Sequence, residues 1–219
     1  MTDVVGAVLA AGKGTRFDPA ERAAATGDGR SDGESPPDVK LLARLDGEPI
    51  VRRAASSLAV SEIDRVVAIV GHEDEAVAAC VSDVVDEVRE HSAYETGQAA
   101  SVALAARRAR AYGADAICYL PGDVPCVDPA TTNRVLEAIG ADGHPDAVVP
   151  THAGQRGHPV CFASSQFEAL SALSGDVGGR ALFDEIDVTR VPVDDPWIRR
   201  DVDTVSDLAA LRLAYESRS

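Results

Sequence analysis

Three stretches of the chain carry residues whose chemistry could be joined at one site. In LPGDVP, at 120–125, two prolines and a glycine enforce a sharp turn and leave Asp123 at its apex. In RRDVDTVSDL, Asp201 and Asp203 are spaced i, i+2, so an extended segment turns both carboxylates to one side. Hard carboxylate oxygens converging in this way suit Mg2+, which commonly keeps waters and substrate phosphates in its remaining positions. In LAAGKGTRF, at 9–17, Gly12 and Gly14 would let backbone N–H groups approach phosphate oxygens, and Arg16 offers a planar donor fork. This loop is neither the GxGxxG fingerprint nor the GxxxxGK phosphate loop. Of the 21 basic residues only Lys13 and Lys40 are lysines, both in the first 40 positions, beside that glycine-marked loop. Cation-assisted chemistry on phosphates is the reading. Local structural roles remain open beside it: Asp128 could cap the helix after it, Thr204 and Asp207 form a Thr-x-x-Asp capping pattern, and 9–17 could be a solvated turn.

The elements that must position these residues follow a β/α alternation. The opening VVGAVLAA reads as a strand buried on both faces, as do RVVAIVG at 65–71 and the apolar run starting at Asp115. VVDEV at 84–88, DAVVP from Asp146, HPVCF at 158–162 and VTRVPV are further strand candidates. Helices are expected from Pro49 through PIVRRAASSLAV, over 73–80, over 97–113 where alanine and arginine favour helix and a glycine closes it, and over 129–139. Further helices are expected at 164–172, in GGRALFDEI and at 204–215. Short apolar strands alternating with longer helices predict an α/β fold, a Rossmann-like three-layer sandwich around a mostly parallel sheet. In such sheets ligands bind beyond the carboxyl ends of the strands, where the loops at 9–17 and 120–125 fall. No linker divides the chain, so 1–219 reads as one domain, with 18–38 a flexible acidic insertion rich in Pro, Gly, Ser and acid.

Asp and Glu number 36 against 21 Lys and Arg, a net charge of -15 and a pI near 4.6. Such a chain has no general attraction to nucleic acid or anionic membrane, and any polyanion must be held locally. The acidity and abundance of alanine and aspartate suggest a halophilic cytoplasm, where salt screens self-repulsion, with an acidic mesophilic protein as the alternative. No apolar stretch approaches the ~18 residues of a membrane span, and the start lacks a basic leader, so a cytoplasmic location is expected. Cys80, Cys118, Cys126 and Cys161 are widely spaced, with neither CxxC nor zinc-finger spacing, and are expected to be apolar fillers. His72, His91, His144, His152 and His158 form no triad and read as surface or loop residues.

Taken in order, LAAGKGTRF, Lys40, GQAAS, LPGDVP, GHPVCF, GDVGGR and DVDTVSDL resemble the MobA-like nucleotidyltransferase superfamily, especially its molybdenum cofactor cytidylyltransferase (MocA-like) branch. The likeness runs through essentially the whole chain and implies a fold of the nucleotide-diphospho-sugar transferase type. It further implies that Ala10, Ala11 and Gly12 hold the base and ribose through backbone contacts, and that Gly14, Thr15 and Arg16 hold the phosphates. Lys40 would neutralise the triphosphate, Gly97 and Ser101 would lie near base and substrate, and Leu9, Gly71 and Gly122 complete the nucleotide-binding set. Asp123 and Asp203 would hold Mg2+, with Arg16, Lys40 and Asp123 the catalytic group. There are departures: Gly14 replaces a Ser or Thr, Phe17 a Met and Asp18 a Gly, and the insertion separates Arg16 from Lys40 unusually far.

The reaction so implied is attack of an anionic acceptor phosphate on the α-phosphorus of an NTP with release of pyrophosphate, which requires alignment and charge neutralisation but no general base. The alanine pair at 10 and 11 leans to CTP over GTP, since guanylyl enzymes usually carry paired glycine there. The acceptor implied is molybdopterin, with the product passed to a molybdoenzyme or its chaperone. Arg156, His158 and Arg180 are candidates for the acceptor's edge. A sugar or polyol phosphate acceptor, or a non-catalytic nucleotide-binding module on the same fold, would leave the sequence nearly unchanged.

Overall fold

The computed structural model describes residues 2–12, 39–71, 75–91, 97–141, 143 and 145–216. Lys13, Gly14, Thr15, Arg16, His72, His144 and the insertion at 18–38 therefore lie outside the described residues. The strands are β1 (Val4–Ala10), β2 (Arg44–Leu45), β3 (Glu48–Pro49), β4 (Arg65–Gly71), β5 (Glu87–His91), β6 (Ala116–Pro121), β7 (Ala147–His152), β8 (Gln155–Arg156), β9 (Val160–Ala163) and β10 (Val188–Pro192). The helices are α1 (Ile50–Ala59), α2 (Glu75–Val81), α3 (Gln98–Tyr112), α4 (Pro129–Ile139), α5 (Phe167–Ala172) and α6 (Val205–Glu216). The main sheet runs β10-β7-β9-β6-β1-β4-β5, with β8 attached to β7. All strands along that path are parallel except β9, which runs against both β6 and β7.

Alternation along the central strands sorts the core into two layers. Val5 and Ala7 of β1 with Ile117 and Tyr119 of β6 face α3 and α5. Val8 and Ala10 with Leu120 face α1 and α2, while Ala116 and Cys118 meet α4. Helices thus cover both faces, which is why the parallel strands are apolar without interruption. With so few aromatic residues, alanine sets the spacing: Ala99, Ala103, Ala105, Ala106 and Ala109 of α3 are all buried, letting that helix lie close to the sheet.

Several boundaries differ from expectation. Val84 and Val85 belong to the turn closing α2, both donating N–H to Val81 O, and the strand begins only at Glu87. β5 is an edge strand, so it needs no continuous apolar run. Pro49 precedes rather than opens α1 because its carbonyl side still pairs in the small β2–β3 hairpin. The 164–172 helix begins as a 3-10 turn (Ser164–Gln166), and only Gly179–Leu182 of GGRALFDEI is helical, also 3-10. All four cysteines are free; Cys118 and Cys161 are buried and paired in register across β6 and β9, while Cys80 and Cys126 are half-buried.

Candidate active site

The carboxyl edge of the sheet gathers the strand ends of β1, β4 and β6. Gly122 N–H donates to Leu9 O at 2.9 Å, tying the PGD turn to the first loop, and the space above Gly71 is walled by Ala11 O at 3.7 Å. Ala10 is buried with its methyl group in the core, so its peptide is what it can offer a ligand. Among the described residues nothing lies within 4 Å of where a side chain at Gly12 would begin.

Asp123 lies two residues beyond the end of β6, and its carbonyl accepts from Val202 N–H at 2.9 Å, which draws the 201–203 segment alongside the turn. Thr204 caps α6 below it: Asp207 N–H donates to Thr204 Oγ1 at 3.1 Å, and the Asp207 carboxylate accepts from Thr204 N–H at 2.8 Å. The capping reading of Thr204 is thereby compatible with an Asp203 that faces the site. Burial pushes the Asp207 carboxyl up, but these hydrogen bonds outweigh it and hold its pKa below the ordinary value. Asp128 caps α4, accepting from Ala130 N–H at 2.9 Å, and so serves structure, unlike Asp123.

Lys40 meets both acids. Its ammonium donates to Asp123 Oδ2 at 2.7 Å and Asp203 Oδ1 at 3.0 Å, on a side chain only 10% exposed. Burial lowers its affinity for a proton, yet the two carboxylates more than compensate, so its pKa is raised. Asp201 stands beside this group without bonding Lys40. Burial and the charges of Asp123 and Asp203 push its carboxyl up. The donor set fits a divalent cation: two carboxylates close enough to share one ammonium can share one metal ion, and their hard oxygens are the ligands magnesium or manganese takes.

A second group lies next to Asp201. Arg156 sits on β8, its guanidinium 5.4 Å from the centre of the Phe183 ring. Arg180, from the 3-10 turn Gly179–Leu182, donates to Gly157 O at 3.3 Å and lies 3.1 Å from His158 Nε2. Arg199 comes from the 3-10 turn Pro196–Arg199, whose Ile198 carbonyl accepts from His158 N–H at 2.7 Å. That approach requires glycine at 157, since a side chain there would begin 2.4 Å from Ile198. Asp195 secures the same turn from beneath, accepting from Thr131 Oγ1 and the N–H groups of Asp128 and Trp197. Burial, then the neighbouring charges of Arg156 and Arg199, depress the Arg180 pKa, while Asp201 opposes them. His158 is half-buried rather than an ordinary surface residue; burial and Arg180 lower its pKa to about 3, so it is neutral. His91 is also buried, at the end of β5.

Gly97 and Ser101 open α3 on this edge. Gly97, at φ +98, packs against the backbone of Gly175, 2.4 Å from where a side chain would begin. Its contact thus fixes the loop leading to Arg180. Ser101 is buried in the first turn. The structure therefore brings Lys40, Asp123 and Asp203 together, with Gly122 bonded to Leu9 and Gly71 beside Ala11 along the same sheet edge. Arg199 and Asp195 escaped the sequence reading. The doubled arginine just ahead of DVD was the available signal for Arg199; Asp195 had none.

A family model described as the MobA-like NTP transferase domain matches residues 6–191. The bifunctional protein GlmU of Neisseria meningitidis is 32% identical over 133 residues, 61% of this chain but only 25% of that protein, so the chain spans about a quarter of this curated relative. A nucleotidyl transferase from Methanothermobacter superposes with a TM-score of 0.79 at 22% identity, covering 99% of each chain. The manganese complex of Rv0371c from Mycobacterium tuberculosis superposes with a TM-score of 0.73 at 25% identity, covering 97% of this chain and 100% of the other. The fold is thus that of the nucleotide-diphospho-sugar transferases, as the sequence led one to expect.

Proposed function

This chain belongs to the MobA-like NTP transferase family, and on that premise we propose that it moves a nucleoside monophosphate from CTP to the phosphate of molybdopterin, releasing pyrophosphate. The observation that carries the reading is the convergence of Lys40, Asp123 and Asp203 at the sheet edge, beside a turn whose Gly122 packs closely on Leu9 O and Ala10 of the first strand.

Asp123 and Asp203 would hold Mg2+, which when bound supplies positive charge to the phosphate oxygens. Lys40 stands where it can turn to the triphosphate, and the peptides of Ala10, Ala11 and Gly12 line the path of base and ribose. Support for CTP over GTP comes from the alanine pair at 10 and 11. Arg156, Arg180 and Arg199 form the acceptor's anchor: three guanidinium groups suit a doubly charged phosphate monoester. With that group already anionic, a base is not required, and the neutral His158 ring serves to orient Arg180 rather than to take a proton. We place the reaction in a salt-rich cytoplasm, where the charge of -15 is screened, with the product passing to a molybdoenzyme or its chaperone.

The test is pyrophosphate release scanned over CTP, GTP, ATP and UTP with Mg2+, each against molybdopterin and a panel of sugar and polyol phosphates. Turnover highest with CTP and the pterin is expected. Release with a sugar phosphate but not the pterin would overturn the acceptor, and no release with any pair would overturn catalysis.

A further inference from the structure

Lys40 is asked to do two things that one ammonium cannot do at once. The reading of this edge as a triphosphate site gives it phosphates to neutralise, yet it is bonded to both acids meant for a metal ion. Metal–oxygen distances of about 2.1 Å would place a divalent cation close to where the ammonium nitrogen now sits, 2.7 and 3.0 Å from the same carboxylates. Two positive centres in so small and poorly hydrated a space repel strongly. Conversely, Asp123 and Asp203 facing each other with neither lysine nor metal would repel too, with Asp201 adding a third negative charge nearby.

The backbone around Lys40 is suited to an exchange. Leu41 is buried in the core formed by α1 and α2, which pins the 3-10 turn Lys40–Leu42. The four-carbon stem ahead of that anchor ends in a compact charge with three rotatable donors, two of them engaged by the acids. Re-aiming it costs rotamer changes in one side chain, not a movement of the fold.

We propose that Lys40 is the resident counter-ion of the Asp123–Asp203 pair in the nucleotide-free protein, and that its ammonium is handed to the nucleotide's phosphates as a divalent cation takes its place. Metal and nucleotide then bind together, and metal alone binds weakly. This rests on the triphosphate reading only in its second half; the counter-ion half concerns metal and protein alone.

The experiment titrates Mn2+ into nucleotide-free wild type, K40M and R180Q, following free Mn2+ by electron paramagnetic resonance and Tm with Mn2+ or EDTA. K40M is expected to bind Mn2+ at least about tenfold more tightly than wild type, a difference of about 1.4 kcal/mol. It should melt below wild type in EDTA and regain that loss with Mn2+, while the wild-type Tm scarcely responds. R180Q, which removes a positive charge that bonds neither acid, should bind Mn2+ much as wild type does. Equal affinities in wild type and K40M, or an equal gain in R180Q, would overturn the counter-ion role. Should K40M fail to fold, K40Q carries the same comparison, since its amide can bond a carboxylate without supplying charge. Adding CTP should then raise Mn2+ affinity in wild type more than in the variant; equal enhancement would overturn the hand-over while leaving the metal-alone result standing.

Discussion

The acid pair and the arginine group occupy neighbouring stretches of one sheet edge, joined by Asp201, which feels Arg180 on one side and Asp123 and Asp203 on the other. The acids are compensated within the chain, by an ammonium at 2.7 and 3.0 Å. The arginines are not: among the described residues none of Arg156, Arg180 and Arg199 forms an ion pair, and Arg180 spends its bonds on a carbonyl and an imidazole. Clustering like charges around a half-buried site costs stability unless an anion arrives. Under the function and the exchange proposed above, the contrast would separate a site whose charge is exchanged on binding from one whose charge waits to be satisfied, with the nucleotide at the first and the acceptor at the second.

The sharpest way to break that division is at Asp123. D123N keeps the shape of the turn and a bond to Lys40 but withdraws the charge that would hold a divalent ion, so pyrophosphate release should fall by about a hundredfold or more. Circular dichroism and Tm should show a folded protein. Near-normal turnover at saturating Mg2+ would remove the acid pair from catalysis and leave the arginines as the site's sole polar feature of note.

Arg180→Gln attacks the other half. Losing one charge-assisted bond to an anion costs about 1.5–3 kcal/mol, so the acceptor's KM should rise about ten- to a hundredfold while the nucleotide's KM stays within about twofold. A rise in the nucleotide's KM instead would move the triphosphate, not the acceptor, onto the arginines.

The two regions were unequally legible in the sequence. Lys40, Asp123 and Asp203 lie in short stretches with few readings: a rare lysine, an acid trapped between prolines, an i, i+2 pair before a cap. The central strands were equally plain, because burial on both faces leaves uninterrupted apolar runs such as VVAIV. The arginine group was half seen. Arg156 and Arg180 stood beside glycines, but Arg199 reaches them only through Gly157 packing on Ile198 and through Asp195 anchoring the turn, contacts between segments far apart in the chain. The β2–β3 hairpin was missed although Asp46-Gly47, both at positive φ, is a strong turn signal, since two-residue strands leave no periodicity to read. What escaped was set by tertiary contact or by brevity, not by ambiguous chemistry.

The smallest effect probes how the acids are held. Thr204 supplies the hydroxyl that accepts from Asp207 N–H at 3.1 Å and donates to the Asp207 carboxylate at 2.8 Å. Replacing it with alanine deletes both, which should lower stability by about 1 kcal/mol in urea denaturation, the usual worth of an N-cap. Activity should move little, because the position of Asp203 depends on backbone bonds that the substitution spares. Val202 N–H still reaches Asp123 O at 2.9 Å, and Asp203 N–H still reaches the Asp207 carboxylate at 3.2 Å. Stability and turnover would then separate in T204A as they are expected to in D123N, but in the opposite sense. If T204A instead lost turnover as severely as D123N, the helix cap rather than the 123–202 backbone bond would be what holds Asp203 against Lys40, and the acid pair would depend on α6 for its geometry.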